Sequence, residues 1–292
     1  MIIDTHTHIF PAWLQERRHE YLRRDATFGE LYNNPRSKLA TVEELIAEMD
    51  ASGVDVAVLA GIGWSDEGLA KDHNDYLLEA AQQVPNRLVA FCGVNPAWGD
   101  RAVKEIARCA GLGAKGVGEL HPDTQGFNLG DKALMSPVME VIDDLELVLL
   151  THSSEPVGHP YSGKGATTPN ILMQFINHFP NSVIVCAHWG GGLPFYTLMP
   201  EVREALKNVY FDCAASPLLY NEQIFNIASL LIPPSRILMG TDYPIIPQTR
   251  ILEQLRSSQL NKDIIDDILG GNALNLLNWP IGSANSPPKN SE

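Results

Sequence analysis

Short apolar runs alternate with longer amphipathic stretches from one end of the chain to the other. The runs Ile2–Thr5, Val54–Ala60, Leu88–Val94, Ala114–Glu119, Leu147–His152, Val183–His188, Val209–Asp212 and Ile237–Asp242 predict eight strands. Most are continuous in Val, Ile, Leu and Ala, which is how strands covered on both faces of a parallel sheet read. Between them, Val42, Leu45, Ile46 and Met49 recur at helical spacing, as do Val103, Ile106, Ala107 and Ala110, then Met135, Val138, Met139 and Ile142. Thr168-Pro169 reads as an N-cap and first-turn proline ahead of Ile171, Leu172, Phe175, Ile176 and Phe179. Stripes at Ile224, Ala228 and Leu231, and at Ile264, Ile265 and Ile268, continue the pattern. Eight strand–helix units predict a (β/α)8 TIM barrel of the α/β class. An open doubly wound sheet is the competitor, and no glycine-rich phosphate loop follows the first strand to favour it.

Two connections are long on this plan. Residues 10–40 follow the first strand and carry Arg17, Arg18, Arg23, Arg24 and Arg36; residues 153–168 follow the fifth. Both leave strand C-termini, where barrel active sites lie, so both are candidates for lids or pocket walls. The expectation is one domain over residues 1–281 with a lid-like insertion at 10–40. A tail over residues 282–292, without apolar content, is expected to fray.

Composition narrows the partners. Hydrophobic residues make up 45% and charged ones 19%, a globular balance. The net charge of −14, with no block of basic residues, argues against nucleic acid or an anionic membrane surface. No apolar run approaches the ~20 residues that span a bilayer. Asp4 and His6 interrupt the N-terminal apolar stretch, so no signal peptide is expected. Cys92, Cys109, Cys186 and Cys213 lack paired spacing and predict buried free thiols in a reducing cytoplasm.

Four of the nine histidines fall at predicted strand ends. His6 and His8, two apart on the first strand, point to the same side and can converge on one ion. Glu119, His152, His188 and Asp242 end strands four, five, six and eight. A polar side chain at the end of five apolar strands has no packing rationale, and all would ring one barrel mouth, so a metal site is the joint reading. Elsewhere, His73 and His178 read as helix histidines and His19 as surface. His121 and His159 lie in mouth loops, open as substrate contacts. Trp189 and Tyr243 either wall a pocket or simply pack.

Asp4-x-His6-x-His8, His152, His188 and Gly240-Thr241-Asp242-Tyr243-Pro244 together resemble the amidohydrolase superfamily. Within it the chain looks like the amidohydrolase-related branch that includes aminocarboxymuconate-semialdehyde decarboxylase. Ala187-His188-Trp189-Gly190-Gly191-Gly192, Tyr210-Phe211-Asp212 and Gly271-Asn272-Ala273 extend the match through nearly the whole chain. The resemblance implies a divalent metal, usually zinc, held by His6, His8, His152 and Asp242, with His188 a second-site ligand or catalytic group. Decarboxylase-type members are typically mononuclear. The deoxyribonuclease-like hydrolases place a glutamate after strand four that helps hold two metals, so Glu119 leaves one ion or two open.

A bound Zn²⁺ would bring the pKa of its water from 15.7 toward ~7. Asp242 would then shuttle the proton while His188 polarises a carbonyl. On that basis the first expectation is a metal-dependent hydrolase of a small amide, ester or lactone. The alternative is non-oxidative decarboxylation of an unsaturated or aromatic carboxylic acid at the same site. A metal- or metabolite-binding protein without turnover is the third reading. The expected partner is a small molecule, an anionic one included if the insertion's arginines line the mouth. A homo-oligomer stays open. Asp4 either orients a ligand histidine or caps backbone amides at the strand start.

Overall fold

The computed structural model describes residues 1–278, so the tail expected at 282–292 lies outside the described residues. Eight strands stand in sequence order: β1 Ile3–Thr7, β2 Val56–Leu59, β3 Leu88–Cys92, β4 Gly116–Leu120, β5 Val148–Thr151, β6 Ile184–Cys186, β7 Val209–Asp212 and β8 Ile237–Leu238. Each pairs in parallel with the next. The eighth returns to the first: Met239 O accepts from Thr5 N at 2.8 Å, Tyr243 O accepts from His8 N at 2.7 Å, and Thr7 and Tyr243 form a parallel bridge. This is the (β/α)8 barrel that the hydrophobic pattern predicts.

Both faces of the strands are apolar because they meet two different cores. Ile3, Val56, Val58, Val89, Phe91, Val148, Leu150, Val185 and Leu238 belong to the cluster that fills the barrel. Their alternates Ala57, Leu59, Ala90, Val117, Leu149 and Ile184 belong to the cluster shared with the helices. Gly116 serves this packing, since a Cβ there would come within 2.6 Å of the Phe91 ring. The sequence pattern overshoots the strand ends. β8 stops at Leu238, not 242, because the next amide, Met239 N, turns to donate to Ile268 O.

The expected helices form at Val42–Ser52, Asp100–Gly111, Lys132–Asp144, Pro169–His178 and Ile224–Leu231. Val42–Ser52 opens with a capping box: Thr41 Oγ1 accepts from Glu44 N, and Glu44 Oε2 accepts from Thr41 N. Thr168 occupies its N-cap position, yet its side chain makes no cap bond. The stripe at 264–268 splits into a helix over Lys262–Asp266 and a wider π turn over Asp267–Gly271.

The 10–40 connection is a structured unit. It holds short helices at Ala12–Glu16, Arg18–Arg24 and Ala26–Tyr32. Phe10, Leu14, Tyr21, Phe28 and Tyr32 pack there with Ile62 and Trp64 in a separate core. Asp25 ties it down by accepting from Phe28 N at 2.8 Å and from Ser65 N and Asp66 N at 2.8 and 2.7 Å. All four cysteines are buried and free. No helix among the described residues is long and apolar enough to cross a membrane.

Candidate metal centre

The strand ends bring the six sequence candidates to one mouth. Glu119 sits at the middle: its Oε2 lies 3.5 and 3.7 Å from the Nε2 atoms of His6 and His8, and its Oε1 lies 3.1 Å from His152 Nδ1 and 3.4 Å from His188 Nε2. His6, His8 and Glu119 can close on one ion; Glu119, His152 and His188 can close on another. Asp242 Oδ1 stands 3.3 Å from His8 Nε2 and 4.0 Å from His6 Nε2. His188 is reached by a bend. β6 ends at Cys186, and His188 and Trp189 turn left-handed at φ 56 and 58, a cost of order 1 kcal/mol each. Gly191 continues the bend against the loop after β5, where a Cβ would lie 2.2 Å from Ser154 O.

The donor set fits a cation. His6 Nδ1 donates to Asp212 Oδ2 at 2.9 Å, His8 Nδ1 to Ala60 O at 3.1 Å and His188 Nδ1 to Ala214 O at 3.1 Å. Those bonds make Nδ1 the donor, so in the neutral rings of His6 and His8 an unprotonated Nε2 turns inward. The Nε2 lone pairs of His6 and His8 face each other at 3.1 Å, which needs positive charge between them. The electrostatics of the cluster make the same demand. Burial opposes it, but Asp212 and Glu119 raise His6 well above its ordinary value. Against the same burial penalty, His6 and the bonds from His152 and His188 hold Glu119 well below the carboxylate range. The set contains nitrogen and oxygen donors and no thiolate, which suits zinc and manganese alike.

Asp212, absent from the sequence-derived site, is the residue that orients the cluster. Besides His6 it holds the His188 bend, accepting from His188 N at 2.9 Å. Its signals in the sequence are a polar residue closing the apolar run Val209–Asp212 and its place in the matched motif Tyr210-Phe211-Asp212, neither of which states its role. Asp4 takes the capping role instead. It accepts from Thr241 N, Thr241 Oγ1 and Gln248 Nε2 at 3.0, 2.6 and 2.9 Å. Burial outweighs those bonds and raises its pKa to about 6.

Above the cluster lies a cavity of about 350 Å³. His8, Glu119, His152, His188 and Asp242 form its floor; Leu31, Ile62, Leu218, Leu219 and Ile245 wall it. His121 joins it, stacked on His152 at 4.1 Å between ring centroids, and so do His159 and Tyr161 of the loop after β5. Trp189 and Tyr243 pack outside the cavity: Trp189 Nε1 donates to Ser216 Oγ, and Tyr243 Oη accepts from Lys38 Nζ.

The insertion's arginines do not line the cavity, and among the described residues no lysine or arginine does. Arg17 pairs with Glu20 and Arg24 with Asp66. Arg18 donates to the carbonyls of Tyr32, Asn34 and Ser37. Arg23 is exposed, and Arg36 borders a separate shallow pocket. Arg17, Arg18 and Arg24 spend their charge on building the insertion, and for these three the expectation of a mouth made positive by its arginines is corrected.

No curated protein matches the sequence. Among solved structures, 5-carboxyvanillate decarboxylase from Sphingomonas paucimobilis shares the fold with TM-score 0.78 at 20% identity, covering 95% of this chain and 98% of that one. The Novosphingobium aromaticivorans enzyme of the same name, complexed with manganese and 4-hydroxy-3-methoxy-5-nitrobenzoic acid, gives 0.76 at 20%, covering 95% and 96%. The 2,6-dihydroxybenzoate decarboxylase from Rhizobium gives 0.73 at 18%, covering 95% and 98%. A family model described as Amidohydrolase matches residues 3–279. This chain belongs to the amidohydrolase family.

Proposed function

We propose that the chain is a metal-dependent decarboxylase of a small aromatic or unsaturated carboxylic acid. One observation carries the reading: among the described residues the cavity is walled in large part by aliphatic side chains, is lined by no lysine or arginine, and has an ion-binding floor that can take a carboxylate. Its volume suits a single substituted ring. The fold neighbours named above, aromatic-acid decarboxylases, support the same choice over hydrolysis.

His6, His8, His152 and Asp242, with Glu119, would hold the ion. A divalent ion bound there supplies the positive charge that fixes the substrate carboxylate. The apolar walls exclude water and hold the ring. Asp242, first given a proton by His188, would pass it to the ring carbon as the carbon–carboxyl bond breaks; the bonding pair stays on that carbon and CO2 departs. His188, raised to about 9 by Glu119 and Asp242 against the cost of burial, serves as a neighbouring proton source. Asp242→Asn should retain metal and fold and lower turnover at least ~100-fold, measured as CO2 release.

Glu119 favours a second reading. It touches all four imidazoles and is common to both ion-binding sets. Two ions sharing one carboxylate would suit hydrolysis of an amide, ester or lactone. The deciding experiment loads the protein with zinc or manganese, counts bound ions, and assays hydroxybenzoates, dienoic acids, amides and lactones for CO2 and for acid release. CO2 from an acid supports decarboxylation; acid release from an amide or lactone without CO2 overturns it. Buried free thiols support a cytoplasmic setting.

A further inference from the structure

Metal binding leaves one polar atom of the cavity's lining residues without a role. His121 is 1% exposed, and its Nε2 is buried with no hydrogen-bond partner. No other cavity-lining residue has such an orphan among the described residues. The ring's position is fixed. One face stacks on His152 at 4.1 Å and 16° between planes, and Nδ1 lies 3.0 Å from Thr124 Oγ1.

The threonine chain decides which nitrogen carries the proton. Thr27 Oγ1 donates to Gly63 O at 2.6 Å, and a carbonyl can only accept. Thr27 has one proton, so at its 2.8 Å contact with Thr124 it must be the acceptor. Thr124 Oγ1 also lies 3.2 Å from His121 O, but the shorter 2.8 Å contact with Thr27 closes only if Thr124 spends its single proton there. It has none left for His121, so His121 Nδ1 carries the hydrogen and donates to Thr124 Oγ1. Nε2 is left as a bare lone pair. Its partner must be a donor.

The surroundings of Nε2 say where that donor comes from. Gly163, at φ 87 in the loop after β5, closes over it. A Cβ on Gly163 would stand 3.2 Å from His121 Nε2 and 2.5 Å from Leu31 Cδ2. Leu31, Tyr161 and Ser162 around this point all line the cavity. Gly163 covers the niche, and its neighbours Leu31, Tyr161 and Ser162 set it at the edge of the substrate cavity.

We propose that His121 Nε2 accepts a hydrogen bond from a hydroxyl group of the substrate, so that the site selects a hydroxylated ring over the same ring without the hydroxyl. His121 is then a specificity residue, not a metal ligand. The proposal rests on the decarboxylase reading for the ring, while the hydroxyl is read from His121 itself.

The test separates the two. Manganese interferes with resonance, so zinc-loaded protein labelled with ¹⁵N-histidine is titrated with phenol and with anisole, which lacks the donor and carries no carboxylate either. The free protein should show His121 protonated at Nδ1. Phenol should shift its Nε2 resonance and bind about tenfold more tightly than anisole. His121→Phe keeps a stackable ring and should level the two affinities at unchanged zinc content. Should that variant fail to fold, Thr124→Val leaves His121 in place, frees its tautomer and should shrink the preference. A free-protein Nε2–H tautomer, equal affinities in the parent protein, no binding of either probe, or a preference that survives His121→Phe would each overturn the proposal. Hydroxybenzoates that release no CO2 while phenol still shifts Nε2 would overturn the decarboxylase reading and leave His121 standing.

Discussion

Asp212 and Asp4 are both buried beside His6, and one hydrogen bond separates their roles. Asp212 Oδ2 accepts from the His6 ring, whereas Asp4 reaches only the His6 backbone amide, at 3.3 Å, and the Thr241 and Gln248 groups. Asp212→Asn should therefore weaken metal binding about 10- to 100-fold, read by competition with a chelating dye. Asp4→Asn should leave that affinity unchanged. The asymmetry marks the limit of what the sequence tells at this scale. His6, His8, Glu119, His152, His188 and Asp242 stand out because each is polar at the end of an apolar run. Asp212 also ends such a run, but its job depends on a partner 206 residues away. His121 is harder still, since stacking on His152 and a two-threonine relay leave no periodic trace.

At the scale of elements, buried strands announce themselves and short helices do not. Strand runs are legible because both faces are apolar, while the three helices of the 10–40 insertion are each under two turns, too short for a stripe. Their arginines look like a binding surface until Arg18 is seen holding three carbonyl groups together. The loop after β5 has a clearer anchor. Asp123 accepts from Ala166 N, Thr167 N and Thr167 Oγ1 at 2.8, 3.1 and 2.8 Å. Hydrogen bonds to a charged group contribute roughly 1.5–3 kcal/mol each. Asp123→Ala should let a protease cut between residues 155 and 165 at least ~10-fold faster, as local opening becomes easier. Ring acids should bind more weakly in the same variant, because His159 and Tyr161 ride on that segment.

For the whole molecule, the segments that follow β1 and β2 are fastened through a histidine that stays neutral at neutral pH. His73 accepts from Trp64 Nε1 at 2.9 Å and donates to Ile9 O at 2.7 Å, and burial lowers its pKa to about 4. The folded protein keeps this ring neutral while the unfolded chain protonates it near 6.5. The stabilisation is thus fully present above pH 6.5 and is lost as pH falls through about 4. Up to about 3 kcal/mol of unfolding free energy should disappear across that window relative to His73→Gln, measured by urea denaturation at each pH. The barrel's closure has a consequence in time as well. His6 and His8 come from the first strand to be synthesised, and Asp242 follows the last. Glu119, His152 and His188 emerge in between, so a nascent chain carries most of the ligands long before the mouth exists. The complete donor set, Asp242 included, therefore exists only once the two ends of the chain have met.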